Sequence, residues 1–139
     1  MASYQVPGAD GCTSWKTASD LSSYQYHVVQ LSAAKTAGVG VANGDLTIGI
    51  LMNKPTSGQA ARVFTQAGGI CKVVAGDAIA VVGSPLCAET TTADLIIASD
   101  NDIIIGYALE TAGAAGDVIE MLMISPYHCA DVSYFTTGA

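Results

Sequence analysis

The sequence predicts an all-β domain: a small β-barrel or sandwich of about eight short strands, with Gly-rich turns and at most one short helix. Three observations carry this. Short apolar segments rich in Val and Ile recur along the chain, each bounded by Gly, Pro, Asn or Asp. The 15 glycines supply turns in abundance. No segment keeps a 3.6-residue apolar stripe over a dozen residues, so the crossover helices of a parallel α/β sheet are missing.

Taken in order, residues 1–20 read as an irregular N-terminal arm, because Pro7, Gly8, Asp10 and Gly11 are turn formers. Tyr24, Tyr26 and Val28 alternate with Gln25, His27 and Val29, which predicts a strand from Tyr24 to Leu31. Val39 and Val41 lie between glycines, and Asn43-Gly44-Asp45 is a strong turn. Leu46 to Met52 and Ala60 to Thr65 are further strand segments, separated by Asn53-Lys54-Pro55. Ile70 to Val74 and Ala78 to Val82 follow, split by Ala75-Gly76-Asp77. Across residues 86–99 the pattern is ambiguous, and a helical turn from Ala93 to Ala98 fits it. Asp102 to Leu109 and Asp117 to Ile124 are the two clearest strands. A last segment runs from Val132 to Phe135. The β-domain is thus expected over residues 21–124, with residues 125–139 as a C-terminal tail.

Gly49 and Gly106 sit inside apolar segments, which signals a bulge or a close backbone approach. Gly-Asp recurs at positions 44–45, 76–77 and 116–117, each time just before a strand. There the Asp carboxylate can accept bonds from neighbouring backbone N–H groups.

Composition narrows the function. The chain has 139 residues, the size of one domain. Half of them are hydrophobic and only 12% are charged, so a solvated disordered chain is excluded. Five Lys and Arg against 12 Asp and Glu give a net charge of −7. That balance argues against nucleic acid and against anionic lipid as partners, since both need a basic face. No apolar run approaches the ~18 residues of a membrane helix. The first residues lack a basic and apolar export signal, so synthesis in the cytoplasm is expected. A free surface usually carries about 25–35% charge. So sparse a charge suits a surface partly covered by other chains.

No motif points to catalysis, a cofactor or a metal, and none is expected. The run Gly38-Val39-Gly40-Val41-Ala42-Asn43-Gly44 misses dinucleotide-loop spacing by one residue and has no helix after it. There is no G-x-S-x-G elbow. Ser99-Asp100-Asn101-Asp102 opens like a calcium loop but lacks its Gly and closing Glu, so it reads as a turn. His27 and His128 have no ligand spacing around them. Glu110 and Glu120 flank a small-residue loop as solvated rim residues. The cysteines, Cys12, Cys71, Cys87 and Cys129, form no C-x-x-C pair and permit three disulfide pairings. A reducing cytoplasm would leave them as thiols, and an oxidising medium would allow bridges.

Aromatic residues cluster at the two ends of the chain. Tyr4, Trp15, Tyr24 and Tyr26 precede the apolar segments, and Tyr127, Tyr134 and Phe135 follow them. Aromatics anchor interfaces by burying large areas. These seven are the candidate contact residues; the alternative role is to cap the ends of the barrel.

The order of pieces resembles a known family. Ser19-Asp20-Leu21, Tyr26-His27-Val28-Val29, Ile48-Gly49-Ile50-Leu51, Asn53-Lys54-Pro55, Gly58 and Ala61-Arg62-Val63 are followed by Gly76-Asp77. Then come Ile105-Gly106-Tyr107-Ala108-Leu109-Glu110, Gly113, Gly116-Asp117 and Met121-Leu122. This succession, over roughly residues 14–124, resembles the capsid decoration (cement, head-stabilising) proteins of tailed bacteriophages. The resemblance implies a compact β-rich domain on the capsid exterior. It implies the major capsid protein as partner, trimers on the shell, and neither catalysis nor cofactor. The Cys-bearing front and the tail depart from the family pattern. A rival expectation is a virion- or cell-surface module that binds a glycan or receptor through exposed Tyr and Trp.

Overall fold

The computed structural model describes residues 10–39 and 47–134. Among them, ten strands and one 3-10 turn form an all-β fold of two parts. The first part is a closed barrel. Its strands are β1 (Cys12–Thr17), β2 (Val28–Ala33), β3 (Thr36–Gly38), β4 (Thr47–Leu51) and β5 (Ala61–Phe64), in the order β1-β3-β2-β4-β5. β5 returns to β1 and closes the ring. The second part is a five-stranded sheet of β6 (Ile70–Val74), β7 (Pro85–Ala88), β8 (Leu95–Ile97), β9 (Ile103–Ala108) and β10 (Val118–His128). Its order is β6-β10-β9-β7-β8. A single parallel bridge, Ala75 to Leu95, brings the ends of β6 and β8 together.

The expected fold class holds, and the strand assignments shift. β1 lies inside the expected arm. Cys12, Thr13, Ser14 and Trp15 pair antiparallel with Phe64, Val63, Arg62 and Ala61, and Lys16 and Thr17 pair in parallel with Thr36 and Ala37. Its polar sequence hides the strand: Ser14 and Lys16 are exposed, and Cys12, Thr13 and Trp15 are only half-buried in the barrel wall. Closure supplies the partner strands instead. At the other end, β10 runs to His128, beyond the expected boundary at 124.

Tyr24 to His27 is not strand. Tyr24 and His27 close successive turns, their N–H groups donating to the carbonyls of Leu21 and Tyr24, each at 3.0 Å. Tyr26 is left-handed at φ 67°. The expected helical turn over 93–98 lies earlier: Ala93 N–H reaches the Glu89 carbonyl (3.0 Å), and Leu95 to Ile97 is the strand β8. Residues 78–82 contribute one isolated bridge, Ile79 to Ala112, although Ile79 is fully buried. Val132–Tyr134 is a 3-10 turn rather than a strand.

Three apolar clusters hold the fold. Leu21, Val29, Ala37, Leu51, Ala61 and Val63 form one, made of barrel strands and the turn before β2. Cys71, Val73, Leu86, Leu95, Ile105, Ile119, Met121 and Met123, from the second sheet, form another. Val28, Ile50 and Phe64 of the barrel join that second cluster. A third cluster, including Cys87, Ala98 and Ile104, lies on the sheet's other side, with Ile124, Cys129 and Val132 packed on it.

Gly49 shows the close approach its position predicts. A Cβ there would collide with the Phe64 carbonyl oxygen, and the β2–β4 register shifts at this point. At Gly106 a Cβ would lie 2.5 Å from the Leu122 carbonyl oxygen. The Gly-Asp turns behave similarly: the Asp117 carboxylate accepts the N–H groups of Gly113 (2.9 Å) and Ala114 (3.2 Å), and Asp77 accepts that of Ala78 (2.7 Å). The third such turn, at Gly44-Asp45, lies outside the described residues.

Two outcomes follow. Deleting residues 2–15 removes every β1 residue that pairs with β5, so the truncated chain should lose its cooperative thermal transition in calorimetry. The substitution Gly49→Val forces Cβ into backbone and should destabilise the fold by about 3 kcal/mol, read from the shift of the urea midpoint at constant slope.

Candidate functional site

The sequence-predicted contact residues do not form one patch. Trp15 is half-buried against the barrel cluster, and its Nε1–H donates to Thr13 Oγ1 at 2.8 Å. Tyr24 packs on the same cluster and meets His27 edge to face at 5.5 Å. Tyr26 is used through its backbone: its N–H donates to the Leu51 carbonyl (2.6 Å), and its own carbonyl accepts from Val74 N–H (3.0 Å). These three serve the barrel and its joint with the second sheet. Tyr4, Phe135 and the side chain of Tyr134 lie outside the described residues.

Tyr127 belongs to a different surface. It is 37% exposed on the far half of β10, and its hydroxyl lies 3.1 Å from that of Tyr107. Tyr107 stands opposite Leu122 in the β9–β10 register, and Leu122 stands opposite Ile70 of β6. Directly opposed residues share a face. Ile70, Leu122 and Tyr107 therefore make one row across three strands. On the same face Val74 opposes Val118, with Lys72 opposite Glu120 between the rows. Ile70 is 57% exposed and Val118 48%. The outcome is an apolar surface on the face of the second sheet opposite Cys71, Ile119 and Met121.

Sequence reasoning missed this surface, yet its signal is present. Ile70-Cys71-Lys72-Val73-Val74 and Val118-Ile119-Glu120-Met121-Leu122 are apolar on both strand faces rather than one. In a sheet such a pattern means that both faces carry apolar side chains.

The polar groups that suggest chemistry are engaged structurally. Glu110 accepts the backbone N–H of Glu120 at 3.2 Å. Asp102 accepts Ser99 N–H (2.7 Å), closing the turn that resembled a calcium loop, and Asp100 accepts Val132 N–H (2.8 Å). Among the described residues no group of three His, Cys, Asp or Glu is arranged to hold a metal ion. No described helix is long and apolar enough to cross a membrane. Among the described residues Glu89 is a heavily bonded carboxylate. Its Oε2 accepts the N–H and hydroxyl groups of both Thr91 and Thr92 at 2.5–2.9 Å, which hold it down at about 2.

No protein-family model and no curated protein matches the chain. Among solved structures it is similar to the head fiber gp8.5 N base of bacteriophage phi29. The TM-score is 0.63, the identity 17%, and the match covers 81% of this chain and 92% of that one. At this identity the likeness establishes a shared fold. That fold is found in a head-associated protein of a bacteriophage, the kind of particle to which the sequence resemblance pointed.

The Tyr107–Tyr127 pair generates a pH prediction. Burial of the hydroxyl, followed by its bond to Tyr107, pushes Tyr127 up to about 12 from an ordinary value near 10. The neutral phenol is thus favoured by the fold. Its stabilising effect is complete below pH 10 and is lost as pH rises toward 12. Tyr107→Phe should bring the Tyr127 midpoint back toward 10, followed by ring NMR shifts.

Proposed function

We propose that this chain is a structural protein of a tailed-phage virion, bound to the outside of the capsid shell as a decoration protein that stabilises it. The observation that carries this reading is the fold likeness to a phage head fiber base, which spans most of both chains. The order of sequence motifs supports it independently. The proposed partners are the major capsid protein and two further copies of this chain in a homotrimer. The proposed role is non-catalytic and needs no cofactor. Location on the virion exterior is part of the same reading.

Physical chemistry favours such a role for this molecule. Within the barrel, closure leaves no free strand edge to recruit unwanted partners, and the edge strands of the open second sheet, β6 and β8, are short. A decoration protein binds several shell subunits at once, so individually weak contacts combine into tight attachment. Binding the assembled shell and not its free subunits stabilises the shell by linkage, by about 2.7 kcal/mol per site at 100 times the dissociation constant. The exposed apolar face and the sparse charge suit contact with other chains.

Co-sedimentation with undecorated, expanded phage capsids tests the proposal. The expected result is saturable binding at a fixed ratio to shell subunits, with decorated shells dissociating at a higher temperature than bare ones. A folded protein that stays in the supernatant at every concentration would overturn it. A glycan array would then test the rival surface-binding module.

A further inference from the structure

The four cysteines are free thiols in this structure. Their placement is unequal. Cys12 begins β1 and stands directly opposite Phe64 of β5, so the two side chains share a face of the barrel wall. That face packs into the second sheet: Phe64 belongs to the same cluster as Cys71, and Cys12 packs against that cluster. The Phe64 ring is also fixed from both sides. A Cβ on Gly11, next to Cys12, would lie 2.7 Å from its Cε2. A Cβ on Gly69, two residues before Cys71 and on the same side of that segment, would lie 2.5 Å from its Cζ. One phenyl ring thus brings the chain beside Cys12 up to the chain beside Cys71.

The other two thiols are kept apart. β9 lies between β7, which carries Cys87, and β10, which Cys129 follows. Cys129 keeps the β9–β10 ladder going, its N–H donating to the Asp102 carbonyl (3.1 Å) and its carbonyl accepting from Asn101 (2.8 Å). Two inter-strand spacings are roughly 9.5 Å, beyond the Cα separation of about 4.4–6.8 Å that a disulfide spans. Cys87 has its own partner, Asp102 Oδ2 at 3.4 Å.

We infer that Cys12 and Cys71 are a disulfide-competent pair, which oxidation closes into a covalent link between the barrel and the second sheet, while Cys87 and Cys129 stay thiols. The inference is independent of the capsid reading. The oxidant is a low-molecular-weight disulfide such as oxidised glutathione. The Cys12 thiolate, the more exposed of the two, attacks it, forms a mixed disulfide and releases one glutathione thiolate. The Cys71 thiolate then attacks Cys12 Sγ, forms the protein disulfide and releases the second. Two thiol protons go to solvent or to the departing glutathione, and two electrons reduce the oxidant. The chain between the cysteines is long, so the link removes much unfolded-state freedom. Burial, with the nearby Cys12, pushes the Cys71 thiol up to about 12. The second step should therefore accelerate as pH rises.

The test is oxidation of the full, folded chain with oxidised glutathione, followed by blocking of free thiols and a non-reducing tryptic map. The sequence makes the map clean: Cys12 falls in peptide 1–16, Cys71 in 63–72, and no Lys or Arg follows Lys72, so Cys87 and Cys129 share 73–139. The expected result is a monomer with 1–16 joined to 63–72 and two blocked thiols in 73–139. Its melting temperature should exceed that of the reduced protein by at least about 5 °C. Cys12→Ser should abolish both the link and the rise. Four blocked thiols, any link into 73–139, or a disulfide between two chains would overturn the inference.

Discussion

The structure depends on one shared apolar contact. Val28, Ile50 and Phe64 are successive register partners across β2, β4 and β5, so they form a single row on the outside of the barrel. All three are buried, and all three belong to the core of the second sheet. The second sheet is therefore not a separate domain with its own sealed interior. Its core face is completed by the barrel wall. Burial of each such side chain is worth about 1.5–3 kcal/mol, and neither part keeps it alone.

Bringing two sheets together buries backbone polar groups, and these need partners. The joint supplies them. Val28 N–H donates to the Ala93 carbonyl (2.8 Å), Val74 N–H to Tyr26 (3.0 Å) and Gly68 N–H to Met123 (2.7 Å). Two of these acceptors depend on unusual backbone. Tyr26 and Ala93 are both left-handed, at φ 67° and 60°. A β-propensity reading does not anticipate either, because both sit in local turns. Ala93 is held there by its loop. Glu89 bonds Thr91 and Thr92, Thr92 also bonds Asp94, and the Ala93 N–H closes on the Glu89 carbonyl. An exposed carboxylate thus orders the loop whose buried carbonyl meets the barrel.

What the sequence made legible follows the same division. β6, β9 and the start of β10 are short apolar runs bounded by turn residues, and their boundaries fall within a residue or two of expectation. Gly49 and Gly106 were readable because a Gly inside an apolar strand has few other causes. β1 was not readable, since Cys12–Thr17 is largely polar and owes its strand to closure of the ring. Tyr24 to His27 misled for the opposite reason: alternating aromatics imitate a strand, while local turns satisfy the backbone. Of the candidate contact residues, Trp15 and Tyr24 pack on the barrel cluster, and Tyr127 lies on an exposed face. That face is built mostly from Ile, Val and Leu, which single-residue reasoning passes over as core.

The other face of the second sheet carries few charges. Where β7 to β10 present Cys87, Ile96, Ile104 and Ile124, the segment after β10 folds over them with Cys129 and Val132. Asp100 fastens that segment through Val132 N–H, and Asn101 through the Cys129 carbonyl. The chain covers this half of the face with itself. The other half, Ile70, Val74, Val118 and Leu122, has only the Lys72–Glu120 pair among its apolar rows. A face solvated by two opposite charges contributes nothing to net charge, so the −7 of the chain resides elsewhere. Long-range repulsion then does little to keep an apolar surface away from this half, while the acidic remainder of the molecule still discourages non-specific association. Under the capsid reading, that asymmetry lets one surface be covered by neighbouring chains while the rest stays soluble.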